Sequence, residues 1–269
     1  MRELVTMWQS TRMLVLTAVS AALYVAVLLP FKGLVLIPGL TEVRPGIALP
    51  VVLSFLFGPA AAWGAGFGNV IADALGGMLT PGSLFGFLGN LFYGYLPHAM
   101  WRAWLGPGNP VKSGTKGWLV LALILVADNL MIASVIGWGA DLIKLAPFGA
   151  LGLIIAINNF IASAVLSPIL LALLYPRVSG LGLLYHQVMA GPVEGEAAAP
   201  PARTLARLGA LLCLAGAVIA FVAGLWISAG MLGVSFGAAG FASAAKGSAA
   251  LAAGMAPGLI VLLVGLILL

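Results

Sequence analysis

The chain has 269 residues, 62% of them hydrophobic and 7% charged, with a formal net charge of +5 and a mean hydropathy of +1.17. A soluble domain of this length has no core large enough to hide that much apolar surface, so composition excludes a soluble globular protein and assigns the chain to the membrane. The basic residues are scattered through connections rather than gathered in a patch, which argues against a nucleic-acid surface and makes them topology signals.

The apolar runs lack the alternation of barrel strands, so the crossings are read as helices whose backbone bonds close internally. Runs of roughly 20 residues predict about eight crossings, near 13–30, 46–58, 60–79, 83–105, 117–138, 148–175, 205–228 and 252–269. The predicted fold class is an all-α polytopic membrane helix bundle. The first dozen residues read as a short cytoplasmic lead without the form of a cleavable signal. With that end inside, Arg2, Arg12, Arg102, Lys112, Lys116, Arg177, Arg203 and Arg207 fall on the inner side and Lys32, Arg44, Lys144 and Lys246 on the outer. Eight against four fits the positive-inside rule.

In the first span Ala18, Ala22 and Ala26 repeat every four residues and leave a flat small-residue face suited to close helix contact. The outer connection 30–45 carries Lys32, Glu42 and Arg44 around an apolar stretch bounded by prolines, either a lid over an outward-facing pocket or an ordinary interfacial loop. Gly58-Pro59 leaves only a turn between the second and third spans and forces an antiparallel hairpin.

Polar residues inside the next spans are the functional candidates, because a charge or carboxamide in hydrocarbon costs several kcal/mol unless it is partnered or faces a cavity. Asn69 and Asp73 lie four apart and share a helix face, with Ala65 and Gly66 a turn earlier open to close approach. Asn90 enters from the outer end of the fourth span, Asp128 lies past the middle of the fifth, and Asn158 lies partway into the sixth. By topology these residues converge on the middle and outer leaflet. Asn159, Ser163 and Ser167 continue a second strip better suited to joining helices.

Pro, Ala and Glu replace the apolar pattern at 190–204, which divides the chain into a six-helix membrane core (1–188), a cytoplasmic linker (189–204) and a two-helix membrane extension (205–269). The extension has few buried polar groups and is read as anchoring, packing or partner contact. Cys213 is a lone packing residue, and His98 and His186 are too far apart in sequence to suggest a metal site. The chain has no Gly-Lys dipeptide for a P-loop, no zinc-protease helix and no paired-cysteine motif, so no catalytic residue, metal or cofactor is assigned.

The Ala18-x-x-x-Ala22 face, the long outer loop ending in TEVRPG, the LFGP turn at 56–59 and the following GNVIAD at 68–73 occur together with a six-helix body. In this the chain, over roughly residues 10–188, resembles the substrate-binding S-components of energy-coupling factor (ECF) transporters. The resemblance implies a multi-pass protein of a prokaryotic cell membrane that captures a vitamin-like micronutrient from outside. It implies a transmembrane coupling subunit and two cytoplasmic ATPases as partners, with ATP hydrolysed by them. It implies that Ala18, Ala22 and Ala26 meet the coupling subunit. It also implies a pocket in the outer half under the first long loop, the depth at which topology places Asp73, Asn90 and Asp128; with Asn69 and Asn158, and with Glu42 and Arg44 of the loop, these are the candidate substrate-binding residues. The linker and last two helices exceed the six-helix pattern. The residues by themselves leave open an ion-coupled secondary transporter using Asp73 or Asp128, and, in another class, a membrane enzyme or a scaffold.

Overall fold

A computed structural model describes residues 1–31, 35–37, 41–42, 45–189, 203–232, 247 and 249–269, with backbone alone at 35–37, 41–42, 203 and 231–232. The helices, in chain order, are α1 (Arg2–Thr6), α2 (Thr11–Leu28), α3 (Ala48–Phe57), α4 (Pro59–Leu75), α5 (Gly82–Tyr93), α6 (Leu96–Trp104), α7 (Gly114–Leu142), α8 (Phe148–Gly180), α9 (Tyr185–Met189), α10 (Arg203–Leu232) and α11 (Ala249–Leu268). The fold is the all-α polytopic membrane bundle that the sequence predicts, and five of these segments are long and apolar enough to cross a bilayer. The departure from helix is a two-stranded hairpin in the first long connection, β1 (Val35–Ile37) antiparallel to β2 (Thr41–Glu42). Lys32 and Arg44 lie outside the described residues, as does the Glu42 side chain.

Two elements are shorter than the apolar runs suggest. Helix α3 has ten residues, only ~15 Å of rise, and is buried over almost its whole length. It enters a tight hairpin at Gly58, whose backbone sits at φ 54° and carries the chain into Pro59, the first residue of α4. The predicted fourth span, 83–105, is two helices with a break at Gly94 and Tyr95. Pro97 in the first turn of α6 supplies no N–H to the Tyr93 carbonyl. A Cβ at Gly94 would stand 2.8 Å from the Ala62 Cα, so the break also lets the chain lie directly on the α4 backbone.

Helix α2 packs along α4, which in turn contacts α5; α5 contacts α7, and α7 contacts α8. The α2–α4 contact rests on Gly64 and Gly68. A Cβ at Gly64 would overlap the Ser20 Cβ, and one at Gly68 would stand 3.0 Å from the Tyr24 ring. Gly66 faces the other way and receives the Phe87 ring, and Ala65 is buried. With Thr17, Ser20, Ala21 and Tyr24 turned inward, Ala18, Ala22 and Ala26 are left exposed on the opposite side of α2.

Helices α10 and α11 form the most extensive helix pair, and α10 also lies against α6, α7 and α8. The pair closes backbone to backbone: Cβ atoms at Gly216 and Gly258 would overlap Leu262 and Ala220, and one at Gly265 would stand 2.6 Å from the Cys213 nitrogen. Phe148 of α8 and Phe221 of α10 meet edge to face at 6.0 Å. The Asp141 carboxylate accepts hydrogen bonds from the Phe148 and Gly247 N–H groups, each at 2.9 Å. That carboxylate joins the start of α8 to Gly247, two residues before α11.

Candidate functional site: a polar network inside the bundle

The α2–α4–α5–α7 sequence of contacts stacks polar groups in the apolar interior. On α4, the Asn69 amide donates to Asp73 at 3.4 Å, as expected of residues one helical turn apart. Both are half-buried. The Asn69 amide lies against Gly86 of α5, 2.6 Å from where a Cβ would be, so glycine there is what allows the two helices and the amide to fit. One turn on, Asn90 is 2% exposed. Its amide donates to the Gly86 carbonyl at 2.8 Å, and its carbonyl accepts from the Tyr24 hydroxyl of α2, also at 2.8 Å.

The network continues through Tyr93, whose hydroxyl donates to Asn129 of α7 at 3.2 Å. Asn129 donates in turn to the Leu125 carbonyl at 2.6 Å and to Ser163 of α8 at 3.0 Å. Tyr93 lies near Asp128 and Tyr24. Asp128 is fully buried and neither carboxylate oxygen has a hydrogen-bond partner. In a low-dielectric interior such a group calls for a proton, a cation or a ligand donor.

Asn69, Asp73 and Asn90 thus meet around Gly86 and Asp128 lies near Tyr93, while Asn158 is half-buried and makes none of these hydrogen bonds. Asn159, Ser163 and Ser167 all face inward, and Ser163 joins α8 to α7. Sequence reasoning missed Tyr24 and Tyr93. Their signal was a phenol deep in an apolar run, where the hydroxyl needs a partner. Asp141, which anchors the last connection, was also missed.

An aromatic row borders the Asn69 strip: Trp63 stacks on Phe67 at 5.6 Å, and Phe87 lies 5.6 Å from Phe67 and 6.3 Å from Trp63. The Trp63 indole donates to the Leu4 carbonyl at 2.9 Å, which puts that end of the row at α1; Phe87, next to Gly86, is the ring on the Asn69 side, and a ring beside convergent amides and a carboxylate can hold a flat polar molecule by its face. Among the described residues, no group of three or more His, Cys, Asp or Glu side chains is arranged to hold a metal.

A family model described as "QueT transporter" matches residues 14–176, more than half of the chain. This family is of the ECF S-component type. No curated protein and no solved structure matches.

Proposed function

The chain belongs to the QueT transporter family, and from that premise we propose that it is the capture subunit of an ECF-type importer for a queuosine precursor. As a member of that family it is a substrate-binding S-component of the membrane, a transporter protein and not an enzyme. The observation that carries this reading is the Asn69–Asp73 pair set beside Asn90, Tyr24 and the Phe87 ring. A queuosine precursor is a flat heteroaromatic base with N–H and carbonyl edges. Asp73 accepts from an N–H edge, the amides of Asn69 and Asn90 complete donor–acceptor pairs, and the Phe87 ring takes the face.

In this reading the first residues are cytoplasmic and the hairpin connection 30–45, with Glu42 and Arg44, covers the pocket from outside. Asn158 and Asp128 flank it at depth. The exposed Ala18, Ala22 and Ala26 face meets the coupling subunit, and two ATPases energise delivery because the chain has no P-loop.

The test is equilibrium binding of a queuosine precursor to the purified chain. Asp73→Asn keeps the size and the Asn69 contact but loses the charge, and is expected to weaken binding about tenfold or more, as for one lost charge-assisted hydrogen bond. Unchanged affinity in that variant removes Asp73 from the pocket. Asp128, buried with unpartnered oxygens, favours one other reading, ion-coupled transport. Uptake by the chain alone under a sodium or proton gradient selects it, whereas uptake only with the coupling module and ATP selects the importer.

A further inference from the structure

We propose that Gly86 is a positioning residue for substrate recognition: the side chain it lacks leaves the space in which the Asn69 amide stands, and that space holds the Asn69–Asp73 pair in its working orientation. The inference rests on the reading of Asn69 and Asp73 as substrate contacts.

Backbone geometry does not ask for glycine at this position. Gly86 is buried in the interior of α5 and is not among the glycines with positive φ. Alanine would favour the helix, since glycine is the weaker helix former. Apolar packing does not ask for it either. A Cβ at Gly89, three residues on, would meet Ile136 at 2.8 Å and Ile132 at 3.3 Å, and one at Gly66 would meet the Phe87 ring at 3.0 Å, the crowding of packed helices. At Gly86, apart from the backbone of α5 itself and the adjoining residues, the three nearest atoms all belong to one polar group: Asn69 Nδ2 at 2.6 Å, Cγ at 3.6 Å and Oδ1 at 4.0 Å.

Two amides are therefore referred to this one residue. Asn69 fills the space of its missing side chain, and Asn90 donates to its carbonyl at 2.8 Å. A methyl group at Gly86 separates them. The carbonyl is unchanged, so Asn90 keeps that bond and the one from Tyr24, whereas 2.6 Å is closer than a Cβ and an amide nitrogen stand, and the Asn69 amide has to turn away. Asn69 reaches Asp73 at 3.4 Å, already long for an N–H to oxygen bond, so the turn breaks it. Asn69 and Asp73 then present a different arrangement of donors and acceptors to a flat base, while the helices that carry them stay in place. Only the tip of a short side chain moves, which the fold tolerates.

The experiment measures equilibrium binding of the aminomethyl-deazaguanine precursor of queuosine to the full purified chain in detergent, for the wild type, Gly86→Ala, Asn69→Ala and the double variant, with thermal melting of each. Titration extends about a hundredfold beyond the wild-type Kd, so that weakened variants still register. Gly86→Ala is expected to bind about tenfold more weakly, as for one lost hydrogen bond, and to melt no lower than the wild type. In the Asn69→Ala chain no amide is left to displace, so adding Gly86→Ala is expected to change affinity by less than about twofold, and the two substitutions are not additive. Wild-type affinity in Gly86→Ala, a loss of affinity that comes with a lowered melt, or the same loss in both backgrounds overturns the role of Gly86 and leaves the substrate reading standing. Absence of binding by the folded wild type overturns the substrate reading itself, and the role of Gly86 with it.

Discussion

Asn129 is the side chain on which the deep half of the network depends, because it accepts from Tyr93 and donates to both Leu125 and Ser163. Replacing it with Leu keeps the volume and leaves the Tyr93 hydroxyl and Ser163 without that partner. Unsatisfied buried groups cost about 1–3 kcal/mol in water-soluble proteins, and interhelical bonds in membranes average closer to ~0.6 kcal/mol. Asn129→Leu is therefore expected to lower the melting temperature in detergent by a few degrees, and an unchanged melt would show that the network carries no stability. Glu3 behaves differently because it lies outside the spans. Burial pushes its carboxyl up, but His98 and Arg102 beside it outweigh burial and hold it below the ordinary value of 4.5. A depressed carboxyl contributes stability above its unfolded value and loses it as the pH falls through the folded one. Glu3→Gln should accordingly lower the melting temperature at pH 7, and the loss should shrink as the pH falls below 4.5 through the depressed folded value; a loss that does not change with pH would assign the effect to shape and not charge.

At the scale of helices, α2 has two faces that answer to different partners. Its inward face sits on Gly64 and Gly68 with no room for a side chain. Gly64→Leu must separate α2 from α4 and is expected to cost about 2 kcal/mol or more, in the range of overpacked cores, and to loosen the Tyr24–Asn90 bond with it. The outward face is open at Ala22. Ala22→Leu should leave melting and substrate affinity unchanged while reducing ATP-driven uptake with the coupling module. Loss of substrate affinity in Ala22→Leu would contradict the separation of the faces. Much of this level was readable in the sequence. Uninterrupted apolar runs gave the long helices, Gly58-Pro59 gave the hairpin, and the spacing of four gave the Asn69–Asp73 contact, since local geometry decides each. The break at Gly94 was not readable, because a Pro at the start of a helix and a Pro inside one look alike until the chain's packing on Ala61 and Ala62 is known. The roles of Tyr24, Tyr93 and Gly86 depend on which helices are neighbours, which no single run of sequence states.

At the scale of the whole molecule, the last two helices are packed onto the core instead of standing apart. Their few polar groups suit anchoring, packing or partner contact, and they meet the core through Phe221 on Phe148, the Trp138 indole donating to the Ala252 carbonyl at 3.3 Å, and Asp141 holding Gly247. None of Asn69, Asp73, Asn90 and Asp128 belongs to this pair, and the exposed alanine face is on α2, whereas α10 covers α6, α7 and α8. Among the described residues α10 packs on α6, α7 and α8, and no hydrogen bond of the polar network reaches α10 or α11. Gly258→Leu, whose side chain would collide with the Ala220 backbone, forces α10 and α11 apart. It is expected to lower the melting temperature of the full chain by several degrees, because backbone contact between helices is lost. Affinity for the queuosine precursor should stay within a factor of about two, since a shift of only ~0.4 kcal/mol separates such values. If Gly258→Leu instead abolishes binding while the protein remains folded, the extension is part of the binding unit, and the boundary between core and extension does not divide function.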